Sequence, residues 1–358
     1  MKKRFWNTLR KNRITLTLLL LSGLLLLCAR TVDGFAEWYA AHIYPVWVNL
    51  FGRFFGLFPF SVSELLLYVL LLAAVGSLIR AIRKGRRAFF SWLRHLLFAA
   101  SVLLLLFVLN CGINYQRTSF SQKSSITAGT YSTQQLEALC LWLTEEINAR
   151  ADSVSRDADG LMSLPSGNIE SLAVEAMHGL GDLYPDLQGY YPQPKPVLLS
   201  KILSLEGLTG IYSAFTIEAN YNQDMTAYNI PFTMCHELSH LRGFMQEEEA
   251  NFIAFLACAN AAQTEFQYSG YLTAWIHATN ALYRSDRTAW REVRALLCAE
   301  ALADLTANNQ YWAAHEGIVS EVSEAVNDTY LKANGQSDGV QSYGRMVDLL
   351  LAWWLTDG

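Results

Sequence analysis

Three apolar runs within the first 112 residues constrain this chain most, because they decide the solvent in which that part folds. Ile14 to Ala29 carries no charge and is dominated by leucine; Leu65 to Ile82 is interrupted only by Arg80; Leu96 to Cys111 is uncharged. Each is close to the ~20 residues an α-helix needs to cross a hydrocarbon core. Two further runs follow the first, and no small-residue cleavage site precedes Thr31, so the first run reads as a retained span rather than a signal peptide. Leu27 before Cys28 gives no lipobox. The expected spans are therefore about 14–30, 64–82 and 95–112, in a membrane domain covering 1–112. These runs explain why 52% of residues are hydrophobic and only 16% charged, a balance too apolar for a wholly soluble chain.

Basic residues set the expected orientation. Lys2, Lys3, Arg4, Arg10, Lys11 and Arg13 precede the first run, and Arg80, Arg83, Lys84, Arg86, Arg87 and Arg94 cluster between the second and third. The positive-inside rule places both groups in the cytoplasm. A multi-pass cell-membrane protein follows, with a cytoplasmic N-terminus, the lipid bilayer as a partner and an extracytoplasmic C-terminal domain. Residues 1–112 hold 14 Lys/Arg against 3 Asp/Glu, whereas 113–358 hold 13 against 29. An acidic domain of that kind excludes nucleic acid as a partner, since phosphate neutralisation needs clustered cations. The six cysteines show no CxxC spacing and read as buried free thiols.

Thr31 to Ser63 is rich in aromatic residues suited to the headgroup zone. Residues 113–131 read as a linker and 132–358 as the extracytoplasmic domain. Helical periodicity covers Gln134–Arg150, with Ser132 or Thr133 as N-cap, and continues around Ile169–Leu180. Tyr184–Pro196, with four prolines, reads as a loop, and Ile211–Asn220 is the one convincing strand. Helices are expected at Phe232–Leu241, Glu247–Ala262, Tyr271–Tyr283, Thr288–Leu305, Trp312–Val326 and Ser342–Leu355. The fold class is thus mainly α: three N-terminal transmembrane helices, then a predominantly helical α+β domain with a small sheet.

Chemistry enters at His236-Glu237-Leu238-Ser239-His240, an HExxH motif. On a helix, residues i and i+4 share a face, so both imidazoles converge on one zinc ion. Glu237 beside them suits a general base acting on water. A zinc peptidase needs a third protein ligand, and Glu247, Glu248 and Glu249 are the candidates. An unbroken helix would carry Glu247 about 10 Å along the axis from His240, so the chain must turn back. Gly243 stands where a left-handed C′ residue would do this. Gln246 occupies the place of a metzincin third histidine. Glu247 shares its face with Ala250, Asn251, Ala254 and Cys258, a small-residue stripe that favours it; Glu249 and Glu248 stay as alternates. Acidic residues in a first turn also simply complement a helix dipole.

HELSHLRGFMQEEEANFIAFLAC resembles the signature of the bacterial membrane family known as domain of unknown function 3810. Similar stretches are Ile43–Pro45, Pro59–Ser61, Ile113–Arg117, Phe215–Asn222, Tyr268–Tyr271 and Asn327–Gly344, covering nearly the whole chain. The resemblance implies three N-terminal spans and a zincin-like domain, and no substrate. A more distant similarity to gluzincins, whose third ligand opens an ExxA[DN] pattern, favours Glu247 in Glu247-Glu248-Glu249-Ala250-Asn251. Asn251 stands where those enzymes usually carry Asp, and the gap from His240 is shorter than theirs.

Zincins bind substrate along an edge strand, which makes Phe215, Glu218 and Asn220 candidate substrate contacts, although Ile211–Asn220 reads equally as an internal structural strand. Tyr268, Tyr271, His277 and Tyr343 could supply an oxyanion donor, but each reads first as a core or interface aromatic. The expected function is hydrolysis of a peptide or protein substrate, with Glu237 as general base. The rival is a zinc-stabilised membrane sensor or assembly protein, whose metal would be closed by a fourth ligand. The polar stretch 242–251 disfavours an intramembrane protease.

Overall fold

The computed structural model describes residues 12–336 and 345–357. Contacts divide the chain into two units, one holding residues up to Arg117 together with Ser213–Ile217, the other Thr118–Tyr212 and the chain from Glu218 onward.

The first unit is built on α1 (Arg13–Thr31), α5 (Val62–Arg83) and α6 (Arg86–Phe107). All three are long and apolar enough to cross a membrane, the third continuing through a π turn (Val108–Gly112) to Gln116. It begins earlier than the apolar run implied, because Arg86 to His95 are residues a helix accepts readily. Leu20 and Leu72 are 73% and 74% exposed, an outward apolar surface compatible with a lipid environment. Inside, Ser22 and Ser101 are fully buried and return their hydroxyls to Leu18 O (2.9 Å) and Phe98 O (2.7 Å). Small residues with internally satisfied polar groups suit helices packed in an apolar solvent. The aromatic segment between α1 and α5 forms three short helices, α2 (Phe35–His42), α3 (Tyr44–Trp47) and α4 (Arg53–Gly56), with a π turn at Val48–Gly52. Ser61 starts α5 by accepting the Glu64 N–H at 3.2 Å.

The second unit opens with α7 (Phe120–Lys123), inside the stretch expected as a linker. Phe120 is fully buried between Tyr184, Phe244 and Phe252, and Glu249 accepts both the Ser121 N–H (2.9 Å) and its hydroxyl (2.6 Å). One bulky residue in a Ser/Thr-rich run is enough to fold it onto the domain. There follow α8 (Thr133–Ala151), α9 (Ile169–Leu183) and α10 (Ser200–Glu206). Ser132 and Gln135 close a reciprocal capping box on α8.

The expected strand Ile211–Asn220 is two strands, β2 (Gly210–Ser213) and β3 (Glu218–Tyr221), separated by the turn at 214–217. β1 (Lys195–Pro196) lies within the proline-rich stretch read as a loop and pairs parallel to β3, Lys195 opposite Asn220. Two residues ending in proline give no periodicity to read. The sheet order is β1-β3-β2, which leaves β2 at an edge.

Among the described residues seven helices complete the unit: α11 (Asn229–Leu241), α12 (Glu247–Ala259), α13 (Thr264–Ser285), α14 (Arg287–Ala295), α15 (Ala299–Ala313), α16 (Ile318–Ala333) and, after the undescribed 337–344, α17 (Met346–Asp357). The expected helix Thr288–Leu305 is divided at Leu296–Cys298, and Asp286 caps α14 by accepting the Thr288 and Ala289 N–H groups. The core lies where α12 and α13 cross. A Cβ on Gly270 would stand 2.6 Å from the Cys258 Cβ, so only glycine permits this approach. Gly270→Ala must push the two helices apart, with an expected loss of about 1–3 kcal/mol, to be read as a lowered thermal midpoint of the full chain in detergent.

Candidate metal centre

α11 carries the motif and ends where Gly243 adopts φ +90°. The Phe244 N–H then returns to Ser239 O at 3.2 Å, so the chain reverses within a few residues. The reversal delivers Glu247, the first residue of α12, back onto the histidines. Glu247 Oε2 stands 3.3 Å from His236 Nε2 and its Oε1 3.7 Å from His240 Nε2, while the two rings meet edge-on with centroids 4.6 Å apart. One ligand atom from each of the three residues lies within 4.8 Å of the others. Two donors on one tetrahedral zinc stand about 3.4 Å apart, given Zn–N and Zn–O lengths near 2.0–2.1 Å. The two nitrogens and the carboxylate therefore fit zinc in both donor type and spacing.

The other two glutamates are committed elsewhere. Glu249 holds Ser121, and Glu248 accepts from Gln336 Nε2 (2.6 Å) and Arg345 Nη2 (2.7 Å). The alternatives left by the sequence thus separate by partner. Around the ligands, His240 Nδ1 meets Phe244 O at 2.9 Å, which leaves Nε2 turned toward the cluster. His236 Nδ1 and the Asn251 amide nitrogen are both buried without a hydrogen-bond partner. His277 on α13 is a further imidazole in the neighbourhood: burial, with His236 beside it, pushes it down to about 4.

Glu237 lies on the sheet side of the cluster. Its Oε1 would be 2.6 Å from a Cβ on Gly210, and the Tyr212 backbone N–H donates to its carboxylate. Its Oε2 is buried and unpartnered. Edge strand β2 therefore touches the acid through backbone alone. Gly210 and Tyr212 were not among the residues singled out from sequence; the available signal was a glycine at a strand start, a mark of close backbone approach. Burial raises Glu237 to about 7, against the opposing pull of His236 and His240. Burial also lowers His240, but Glu247 and Glu237 outweigh it and hold the imidazole up at about 9. Burial raises Glu247 in turn, and the two imidazoles reverse that, keeping it well below the usual carboxylate range.

The remaining candidates are placed as follows. Glu218 is buried against Lys195 Nζ (2.5 Å), and the Asn220 side chain donates to Ile211 O at 3.2 Å, so both tie the sheet together. Tyr268 is fully buried and donates to Asp304 at 2.6 Å, sharing that carboxylate with Arg156 and the Met162 N–H. Tyr271 packs under the Arg150 guanidinium. Phe215, 44% exposed, belongs to the turn counted with the first unit, and Tyr343 lies outside the described residues.

Residues 39–351 match the family described as Protein of unknown function (DUF3810). The chain belongs to this family. No curated protein and no solved structure matches it. In this DUF3810 chain the cluster lies inside the matched segment.

The raised His240 has a measurable consequence. Its pairing with Glu247 stabilises the metal-free protein below the unfolded value of 6.5, and that contribution is lost as pH rises through about 9. A zinc ion at this cluster would require the neutral ring, so its binding would expel this proton. Apparent zinc affinity should therefore rise about tenfold per pH unit between pH 7 and 9, with about one proton released per ion at pH 7.5. Titration calorimetry in buffers of different ionisation enthalpy measures both.

Proposed function

We propose that this protein is a membrane-anchored zinc metallopeptidase of zincin-like, gluzincin type that hydrolyses peptide bonds on the extracytoplasmic side. The observation that carries the reading is the return of Glu247 onto His236 and His240, with Glu237 beside them against an edge strand. Among the described residues the cluster has three members, the number that leaves a tetrahedral ion one open position. That count supports a catalytic role over a closed structural one.

His236, His240 and Glu247 would hold the zinc, which supplies Lewis acidity to polarise a peptide carbonyl and acidify water. Glu237 is suited to the proton work. Burial raises this acid to about 7 in the metal-free protein, and a zinc ion beside it would favour the charged form that takes a proton from water and returns it to a departing amine. Burial keeps the acid from exchanging that proton with bulk solvent, and the Tyr212 N–H fixes one side of the carboxylate so that the other faces the reacting groups. Strand β2, at the edge of the sheet order, offers backbone for an extended substrate. The extracytoplasmic setting follows from the basic residues around α1 and between α5 and α6.

The full chain in detergent, given a peptide library read by mass spectrometry, should cleave in a zinc-dependent manner. Glu237→Gln should keep the metal and lose cleavage by ~10²-fold or more. Gly210→Ala, which drives a methyl into the Glu237 carboxylate, should do the same through misplacement. Wild-type protein that binds no zinc, or undiminished cleavage by Glu237→Gln, sinks the reading.

A further inference from the structure

The short helix α7 belongs to the same unit as α11 and α12, and it meets both arms of the reversal that builds the metal cluster. Phe120 packs edge-on against Phe244, in the reversal itself, with ring centroids 5.8 Å apart, and against Phe252 on α12 at 6.2 Å. α7 is pinned in turn. Ser119 caps it by accepting the Gln122 N–H at 3.3 Å, Tyr184 meets Phe120 at 5.0 Å, and Lys123 pairs with Asp186.

The polar contact from α7 is more exacting. Ser121 donates its N–H to Glu249 Oε2 at 2.9 Å and its hydroxyl to Oε1 at 2.6 Å, which fixes both oxygens of one carboxylate. Ser121 and Glu249 are 6% and 4% exposed. A carboxylate so buried is costly unless its oxygens are bonded, and bonds to a charged acceptor are the stronger kind. Glu249 stands two residues after Glu247 in the first turn of α12. Two residues of α-helix rotate the chain by about 200° and advance it by about 3 Å, so the two carboxylates leave opposite sides of one turn. The hold on Glu249 therefore sets the rotation at which Glu247 faces the imidazoles, 3.3 Å from one and 3.7 Å from the other. Metal ligation tolerates errors of only about 0.2 Å in bond length. Glu248, between them, is held by Arg345, whose side chain is 38% exposed, a softer restraint.

We propose that Ser121 is a positioning residue for Glu247, acting through Glu249 and the first turn of α12. It does so on the reading that His236, His240 and Glu247 hold zinc. A serine ahead of the first long helix of the unit then decides how closely the third ligand approaches the other two, while Phe120 keeps the two arms of the reversal in register.

Zinc affinity of the full chain in detergent, measured by titration calorimetry across a double-mutant cycle, tests the link. Ser121→Ala should weaken zinc about tenfold, the low end for a residue that supports a ligand. In a Glu247→Ala background the two imidazoles alone hold the ion, more weakly. There Ser121→Ala should change affinity by less than about twofold, because the ligand it places is gone. Glu249→Gln keeps the volume but cannot accept both bonds, and should repeat both results if Ser121→Ala folds poorly. Asp286→Ala, which removes the cap of α14, should lower the thermal midpoint and leave zinc affinity unchanged. Equal weakening with and without Glu247 overturns the proposal, as does undiminished affinity in Ser121→Ala and Glu249→Gln. Either result leaves the zinc reading standing, whereas a wild type that binds no zinc overturns both.

Discussion

Everything at the candidate centre depends on the chain reversing between α11 and α12. Two histidines one turn apart are supplied by any helix; the third ligand is not. Gly243 at φ +90° and the return of Phe244 N–H to Ser239 O bring Glu247 within 3.3 Å of one imidazole and 3.7 Å of the other. The same turn places Phe244 O where it meets His240 Nδ1, so one local conformation delivers a ligand and orients another. It also packs Phe244 on Phe120, which anchors the start of the second unit.

The electrostatic arrangement follows from burying several ionisable groups together. A carboxylate and an imidazole taken out of water are each penalised unless paired, and Glu247 with His240 form that pair in the absence of metal. For Glu237 burial outweighs the opposing pull of His236 and His240, which is why its affinity for a proton stands near neutrality. Two glutamates in one cluster are thereby driven in opposite directions, one toward permanent charge and one toward exchange. Such a divergence separates an acid suited to holding a cation from one suited to moving protons.

Much of this was legible in the sequence because the signals were local. The apolar runs, the Ser132 cap, the HExxH spacing and the glycine reversal each depend on residues within a turn or two of one another, and the structure bears out the three apolar helices and the turn at Gly243. What was not legible depends on contacts distant in sequence. β1 is two residues long and exists only because β3 lies beside it. Tyr268 reads as a core aromatic or a candidate donor, and only in the structure is Asp304, on another helix, seen to claim its hydroxyl. Glu248 and Glu249 differ from Glu247 only in their partners, Arg345 and Gln336 for one and Ser121 for the other. The break at 214–217 was hidden by a run of β-forming residues, since nothing in that composition announces a left-handed isoleucine.

Gly210 carries a consequence for the history of such chains. Its α-carbon faces Glu237, Thr233 and the Asn220 carbonyl so closely that no other residue fits while the acid stays in place. Selection for the chemistry must therefore act on two distant words of the sequence at once, the glycine opening the strand and the motif on the helix. Under the proposed peptidase reading, a descendant that abandoned hydrolysis yet still bound metal would be free to lose the glycine and keep the histidines. The pair, rather than the motif alone, is the mark by which working and retired copies can be told apart.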